Sequence, residues 1–460
     1  MLNQKLEKIL AGPENPDAEF ITSAYTYKDV YAMAQDIRTT LFGNNETICL
    51  YTENKAIIAA SVLASSASDF TLILPYAFSS RALQEIQTLF HVKTIITDQP
   101  NITLSGTGTV IPQIIKTGSL SLPLVKFPDT PILKFFTGGS TGQPKVWKKT
   151  ARNMFGEAFF LSEKFNIDKN DCILATVPPY HIYGFLFSVL VPFVSSSKVT
   201  GDIYSFPQEI RNGLEKNAPT ILASIPMHYR ILKGGEISGN SLRMAFSSAG
   251  KLDETDADYF YHKTGAEIFE IYGSTETGGI AGRCRARGET NLEAFEIIDW
   301  KVIDERLFVR SPFISPDIAV DSEGFYQTGD RVIKHDEKHF SLLGRADGIV
   351  KVGGKRVDLE DVRNKIIQFP GVTDAVVFAV PDKRGRESSI CAMVRGNIDK
   401  DQLITGISNQ VEPYAMPRDI RVVEKIPVSS SGKYDRKTLE KYFVSDGQET
   451  QAEVSDSRRK

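Results

Sequence analysis

"FFTGGSTGQPK", Phe135 to Lys145, is the stretch on which the fold assignment turns. It follows the apolar "PIL" and Lys134, and it gathers three glycines, three hydroxyl residues, a proline and a lysine. A strand that gives way to such a loop offers backbone N–H groups and hydroxyls to an anion, because glycine lets the backbone approach phosphate oxygens closely. Lys145 adds a positive charge. The Walker A pattern, G-x-x-x-x-G-K-[ST], does not fit: five residues after Gly138 stands Gln143, five after Gly139 stands Pro144, and Val146 follows Lys145. A phosphate loop of another kind is expected, with an ordinary surface turn as the competing reading.

Outward from this loop the chain alternates. "TICLYT", "FTLILP", "KTIIT", "CILATV", "PTILASI" and "AEIFEIYG" are short apolar runs, while "NKAIIAASVLASSAS" and "SSRALQEIQTLF" have helical character. That rhythm predicts an α/β fold with parallel sheets covered on both faces. From about residue 290, "AFEIIDWKVIDERLFVRS" and "GFYQTGDRVIKHDEKHFSLLG" predict a small antiparallel unit. Beyond Gly344, "VDLEDVRNKIIQF" and "KDQLITGISNQV" read as helices and "DAVVFAV" and "SSICAMV" as strands. The expected layout is a large N-terminal domain of α/β layers with a small β unit over 1–343. A small, mobile α+β C-terminal domain follows over 344–442, then a polar, disordered tail over 443–460.

Composition excludes several classes. The 460 residues carry 54 Lys and Arg against 57 Asp and Glu, with no basic block, so neither nucleic acid nor an anionic membrane is an expected partner. Cys49, Cys172, Cys284 and Cys391 lie far apart and form neither a metal-ligand pair nor a disulfide framework, which points to a reducing, cytoplasmic setting. The N-terminus lacks the apolar core of a signal peptide. "HIYGFLFSVLVPFV" is too short to span a membrane and contains Gly184 and Pro192, so it reads as a buried helix.

Six stretches, in order from Phe135 to Lys437, resemble the AMP-forming acyl–adenylate superfamily of acyl- and aryl-CoA ligases, peptide-synthetase adenylation domains and luciferases. "TGGSTGQPK" resembles its phosphate loop, with Gly138 where the family usually has Ser and Val146 where it has Gly. "PPYHIYG" (Pro178 to Gly184) resembles the start of the carboxylate-pocket helix, and "EIYGSTETG" (Glu270 to Gly278) the adenine and magnesium motif. "YQTGD" (Tyr326 to Asp330) resembles the ribose motif, "GRADGIVKVGGKRVDLEDV" (Gly344 to Val362) the hinge and the helix after it, and "PVSSSGKYDRK" (Pro427 to Lys437) the catalytic-lysine loop. Any one could be chance: "TGD" fits any turn, and a lone histidine or loop lysine is usually structural or solvated. Their order identifies the chain as a member.

The resemblance implies an ATP-dependent ligase that makes an acyl-adenylate from a carboxylic acid, releases pyrophosphate and passes the acyl group to a thiol. The acid would be aryl or fatty, and the thiol that of coenzyme A or of a phosphopantetheine carrier protein. The compact chain resembles short ligases of aryl-polyene and similar pathways. Thr137, Gly138, Gly139, Ser140, Thr141 and Gly142, with Lys145, would hold the β- and γ-phosphates. Glu270, Ile271, Tyr272 and Gly273 would take the adenine, with Ser248, Ala249 and Gly250 on its other side. Thr275 would touch the α-phosphate, Glu276 would bind Mg²⁺, and Asp330 with Arg345 would take the ribose. His181 opens the acid-pocket helix, and Lys433 would bridge carboxylate and α-phosphate during attack. Asp347 would be the hinge that brings Lys351 and the thiol-arm glycines Gly353 and Gly354 into place for transfer. A nucleotide-binding pseudoenzyme and an unrelated P-loop ATPase are the competing readings. Glu276, Asp330 and Lys433 speak against the first, and the failed Walker spacing against the second.

Overall fold

The structure, a computed structural model, describes residues 2–43, 46–102, 106–115, 119–123, 129–137, 145–237, 241–352, 355–381, 388–408, 410–429 and 434–444. They form two compact units. One comprises 1–301, 308–326 and 336–340, the other 302–307, 327–335 and 341–460, so the division runs through the antiparallel stretch.

Two sheets organise the first unit. In one, strands Gly108–Val110, Thr94–Ile96, Thr47–Leu50, Thr71–Ile73 and Pro131–Thr137 lie side by side in parallel, and Lys145–Thr150 returns antiparallel at the edge. In the other, Glu19–Ile21, Lys198–Val199, Cys172–Ala175, Ile221–Ser224, Met244–Ser247 and Ile268–Ser274 run parallel. Gly278–Cys284 then turns back antiparallel to Ile268–Ser274. Strands covered on both faces need no polar side, and that is why their sequences are nearly continuous apolar runs. Helix Lys55–Ser66 meets strands of both sheets and is buried along its whole length, consistent with a helix apolar all round. Asn54 caps it, its side chain accepting from the N–H groups of Ala56 and Ile57.

"HIYGFLFSVLVPFV" is buried over 184–193 but is not one regular helix. It runs as Ile182–Phe185, a wider π turn over Leu186–Leu190, and Val191–Ser195. Pro192 has no N–H for the carbonyl four residues earlier, and the wider turn stands immediately before it. Gly184 is required where it is: a Cβ there would lie 2.2 Å from the Pro178 carbonyl oxygen.

In the second unit, strands Val372–Pro381, Ser388–Gly396 and Asp419–Val423 form a sheet, the first pair antiparallel and the second parallel. Successive strand residues face opposite sides, and both sides are covered. Ala375, Val377 and Ala379 join a core with Val362, Ile366, Leu403 and Ile407 of helices Leu359–Ile367 and Lys400–Ser408. Val376, Phe378 and Val380 join another with Ile426 and Leu439. That double coverage explains why "DAVVFAV" shows no polar alternation. The final helix, Arg436–Val444, takes in Phe443 and Val444, two residues assigned above to the disordered tail. The correction has a packing cause: the Phe443 ring meets Phe378 edge-on at 5.2 Å and lies under the Arg421 guanidinium. Residues 445–460 lie outside the described residues. Among the described residues no helix is long and apolar enough to cross a membrane.

Candidate active site

The two sheets of the first unit place their nucleotide motifs in the same way. In each, the last parallel strand pairs with the antiparallel strand that follows it in sequence, and an expected nucleotide motif lies at that junction. In the first, Thr137 and Lys145 pair across the base of the hairpin, with Lys145 exposed at the start of the returning strand. The loop residues Gly138, Gly139, Ser140, Thr141 and Gly142 lie outside the described residues. In the second, the turn between Ile268–Ser274 and Gly278–Cys284 carries Thr275 and Glu276, both half-buried.

The residues expected at the adenine come together in the second sheet. Ser247 pairs with Glu270 in parallel register, and the Ser248 hydroxyl donates to the Ile271 carbonyl oxygen at 2.8 Å. Ala249, exposed beside them, holds φ at 69°, a left-handed conformation that an L side chain disfavours by about 1–2 kcal/mol. Such strain, held next to Ile271 and Tyr272, fits a segment shaped for a ligand. Tyr272 is half-buried, its ring 6.0 Å from Phe340, and Gly273 is exposed. The Glu270 carboxylate is not free for adenine. It accepts from Arg283 Nε at 2.7 Å and from the Leu252 N–H at 3.2 Å.

The Glu276 turn is supported from below by residues that the sequence motifs do not include. Lys149, 0 % exposed, donates from Nζ to the Phe313 carbonyl oxygen at 2.7 Å and to that of Glu276 at 3.2 Å. Glu157, also buried, accepts the Gly279 N–H on Oε1 at 2.7 Å. The Ser315 N–H also donates to the Glu276 carbonyl oxygen, at 2.8 Å. Within the turn the Ser274 and Thr277 hydroxyls are 2.9 Å apart. Burial pulls the Lys149 ammonium down and pushes the Glu157 carboxyl up, and the charge of each opposes the shift of the other. A signal for Lys149 was present in the sequence. "KVWKKT" sets two lysines in succession on a strand, and successive strand residues face opposite sides.

His181 is half-buried at the N-cap of helix Ile182–Phe185, its ring 4.7 Å from that of Tyr180. Beyond the ends of the parallel strands lies a buried polar cluster. His228 Nδ1 is 2.8 Å from the Thr176 hydroxyl, which is 2.7 Å from that of Ser224. Burial lowers His228 to about 4, so its imidazole is neutral. A separate cavity of about 710 Å³, lined in part by Tyr25, Glu53, Lys55, Asp98 and Asp202, contains none of the expected site residues.

The second unit holds the remaining residues. Asp330 and Arg345 stand 3.7 Å apart, and a Cβ on Gly329 would come within 2.4 Å of the Arg345 guanidinium. Asp347 lies in the short 3₁₀ turn Ala346–Gly348, next to strand Ile349–Val352, which carries Lys351. Lys351 pairs with Arg356 of strand Lys355–Asp358, and Gly353 and Gly354, which join the strands, lie outside the described residues. So does Lys433. Its flanks are fixed: Val428 bridges to Tyr434, and the Tyr434 hydroxyl donates to Asp374 Oδ1 at 2.6 Å.

Residues 11–309 match the AMP-binding enzyme family and residues 361–433 the AMP-binding enzyme C-terminal domain; the chain belongs to this family. Similar curated proteins include the mitochondrial malonate–CoA ligase ACSF3 of Mus musculus, 25 % identical over 69 % of this chain and 65 % of that protein. The mitochondrial acyl-coenzyme A synthetase ACSM3 of Homo sapiens is 26 % identical over 76 % of this chain and 66 % of its own. The chain thus spans just under two thirds of the length of these relatives. In fold it is similar to ATP-bound MatB from Rhodopseudomonas palustris, with a TM-score of 0.81 at 18 % identity over 95 % of this chain and 98 % of that one. It is also similar to the O-succinylbenzoate coenzyme A synthetase MenE from Bacillus subtilis in complex with AMP, with a TM-score of 0.77 at 17 % identity over 95 % and 98 %.

Proposed function

We propose that the chain is an ATP-dependent carboxylate–thiol ligase. It joins an aryl or fatty carboxylic acid to the α-phosphate of ATP, releases pyrophosphate, and transfers the acyl group to the thiol of coenzyme A. The observation that carries this reading is the second hairpin, where Ser248 and Ile271 meet above a turn that presents Thr275 and Glu276. The CoA-ligase names of the relatives support coenzyme A as acceptor.

The carboxylate is a poor electrophile, and charge repulsion opposes its attack on a triphosphate. Lys145 and the backbone of 137–142 bind the β- and γ-phosphates, and Thr275 contacts the α-phosphate. The Glu270 backbone, Ile271 and Tyr272 hold the adenine against Ser248–Gly250. Asp330 accepts from the ribose hydroxyls, with Arg345 beside it. Glu276 suits Mg²⁺, a hard cation that commonly takes one or two protein carboxylates and completes its shell with phosphate oxygens and water. Bound there, the cation would neutralise charge on the leaving pyrophosphate. Lys433 supplies positive charge between carboxylate and α-phosphate in the first half-reaction. Asp347 is the hinge for the second, in which Lys351, Gly353 and Gly354 receive the thiol arm.

A panel of aryl, short-chain and long-chain acids, each assayed for pyrophosphate release with ATP and Mg²⁺, tests the reading. Coenzyme A and then a carrier protein are supplied as acceptors. Acid-dependent pyrophosphate release followed by CoA thioester is expected; steady release of inorganic phosphate would overturn adenylation. Single-turnover half-reactions test the last two assignments. Lys433→Ala should lose about a hundredfold in adenylate formation, roughly 3 kcal/mol, but little in the use of preformed acyl-adenylate. Asp347→Pro, which fixes φ and removes an N–H, should accumulate adenylate and fail in transfer. Equal losses in both half-reactions would remove either assignment.

A further inference from the structure

Lys149 and Glu157 come from elements that follow the phosphate loop, yet their polar atoms go to the other hairpin. Lys149 belongs to strand Lys145–Thr150, four residues beyond the phosphate-loop lysine, and Glu157 to helix Ala151–Lys164. The Lys149 ammonium holds the backbone within the turn, at residue 276, and the Glu157 carboxylate holds it just after, at residue 279 of the returning strand. The segment behind is tied to the same elements. Phe313 accepts from Lys149 on its carbonyl oxygen, Asn153 Nδ2 donates to the Pro312 carbonyl oxygen at 2.8 Å, and the Ser311 hydroxyl donates to the Thr277 carbonyl oxygen at 3.3 Å. Gly278 closes the arrangement with φ at 70°, and a Cβ there would stand 2.8 Å from Glu157 Oε2.

Two opposite charges buried together are poor evidence for stability, because apolar side chains of similar volume commonly serve as well. What apolar side chains cannot do is hold two particular backbone groups of one turn. We infer that Lys149 and Glu157 are positioning residues that fix the backbone carrying Glu276 against strand Lys145–Thr150 and helix Ala151–Lys164, so that its carboxylate meets the metal of MgATP in one position. The inference rests on the ligase reading for the role of Glu276. Neither residue touches substrate; both act through the turn.

The test uses the full chain and reads binding without any carboxylate. ATP affinity is measured by calorimetry in Mg²⁺ and in EDTA, and their ratio is the metal-dependent gain. The double variant Lys149→Met/Glu157→Leu removes both charges with little change in volume. The expected result is a melt close to wild type, an EDTA affinity within twofold, and a metal-dependent gain reduced about tenfold. In the pyrophosphate assay the KM for MgATP should rise while that for the acid stays within twofold. A folded double variant with the wild-type gain would overturn the inference. Should the double variant melt below the assay temperature, Glu157→Gln takes its place. Its amide oxygen still accepts the Gly279 N–H while the countercharge to Lys149 is gone, and a threefold or greater loss of the gain is expected, equality with wild type being the refuting outcome. A wild-type chain that shows the gain but releases no pyrophosphate with any acid would refute the ligase reading and leave this test intact. A wild-type chain whose ATP affinity is indifferent to Mg²⁺ would overturn the inference directly.

Discussion

The two nucleotide hairpins of the first unit share a plan and differ in how they are held. The hairpin of Pro131–Thr137 and Lys145–Thr150 presents its cation at an exposed strand start, and the residues of its motif are contiguous. The hairpin of Ile268–Ser274 and Gly278–Cys284 is backed by a buried lysine, a buried glutamate and the segment 311–315, drawn from three places in the chain. On the proposed reading, the Lys145 ammonium, near solvent, can follow the phosphates. A carboxylate that must share a cation with those phosphates gains from a fixed backbone, because electrostatic stabilisation is strongest where the groups need not reorganise.

Mutations at the working residues of each hairpin should therefore differ most in their effect on adenylation. Glu276→Gln keeps the shape and removes the charge; adenylate formation should fall a hundredfold or more, about 3 kcal/mol, with little loss in the use of preformed acyl-adenylate. Lys145→Ala removes an exposed charge, in a more strongly screening environment, and should cost about tenfold, roughly 1.4 kcal/mol. Burst measurements of adenylate on both variants decide the matter. A larger loss at Lys145 than at Glu276 would break the comparison.

The support itself can be probed through stability. At Gly278 a side chain meets a left-handed φ and also Phe313 Cβ at 2.6 Å. Gly278→Ala should destabilise the chain by about 3 kcal/mol, combining backbone strain and overpacking. Gly265, which ends helix Glu254–Thr264, has nearly the same φ, 72°, but nothing within 4 Å of its would-be Cβ, so Gly265→Ala should cost only about 1 kcal/mol. Urea unfolding of the two variants measures the difference. Equal costs would mean that the turn is no more tightly packed than an ordinary helix end.

The same contrast explains what could be read from sequence. The family and the alternation of strand and helix were legible, because ordered motifs and periodicity fix residue types at fixed intervals. The adjacent lysines of "KVWKKT" were a sign that one of them is buried, but the partners of Lys149 and Glu157 were not legible, because they are backbone groups more than a hundred residues away, and a backbone group has no signature in sequence. For Glu270 the sequence motif does not say whether side chain or backbone would face the adenine; the pairing of its strand with Gly278–Cys284 reveals Arg283 as the partner of its carboxylate. The helix end at Val444 was missed because the tail is polar, whereas Phe443 finds a ring on a strand more than sixty residues earlier.

The smallest expected effect concerns the sheets behind the hairpins. Beyond strands Thr47–Leu50 and Thr94–Ile96, the first sheet buries Thr52 and Thr97, which do not titrate. Beyond strand Ile221–Ser224, the second buries His228. Burial lowers His228 to about 4, well under the ordinary histidine value near 6.5. Between those values the unfolded chain binds a proton that the folded chain does not, so stability rises with pH across this window. His228 therefore contributes no penalty above about pH 6.5. As the pH falls it favours unfolding increasingly, by about 2 kcal/mol at pH 5, and the penalty levels off below about pH 4. His228→Gln keeps a polar group for Thr176 and removes the titration. Its urea midpoint should be lower than wild type at pH 7.5, through lost packing, but should fall less between pH 7.5 and pH 5. The difference in that fall, converted to free energy, should approach 2 kcal/mol. Parallel pH dependence in the two proteins would mean that His228 charges without penalty, and that the second sheet is no more sensitive to acid than the first.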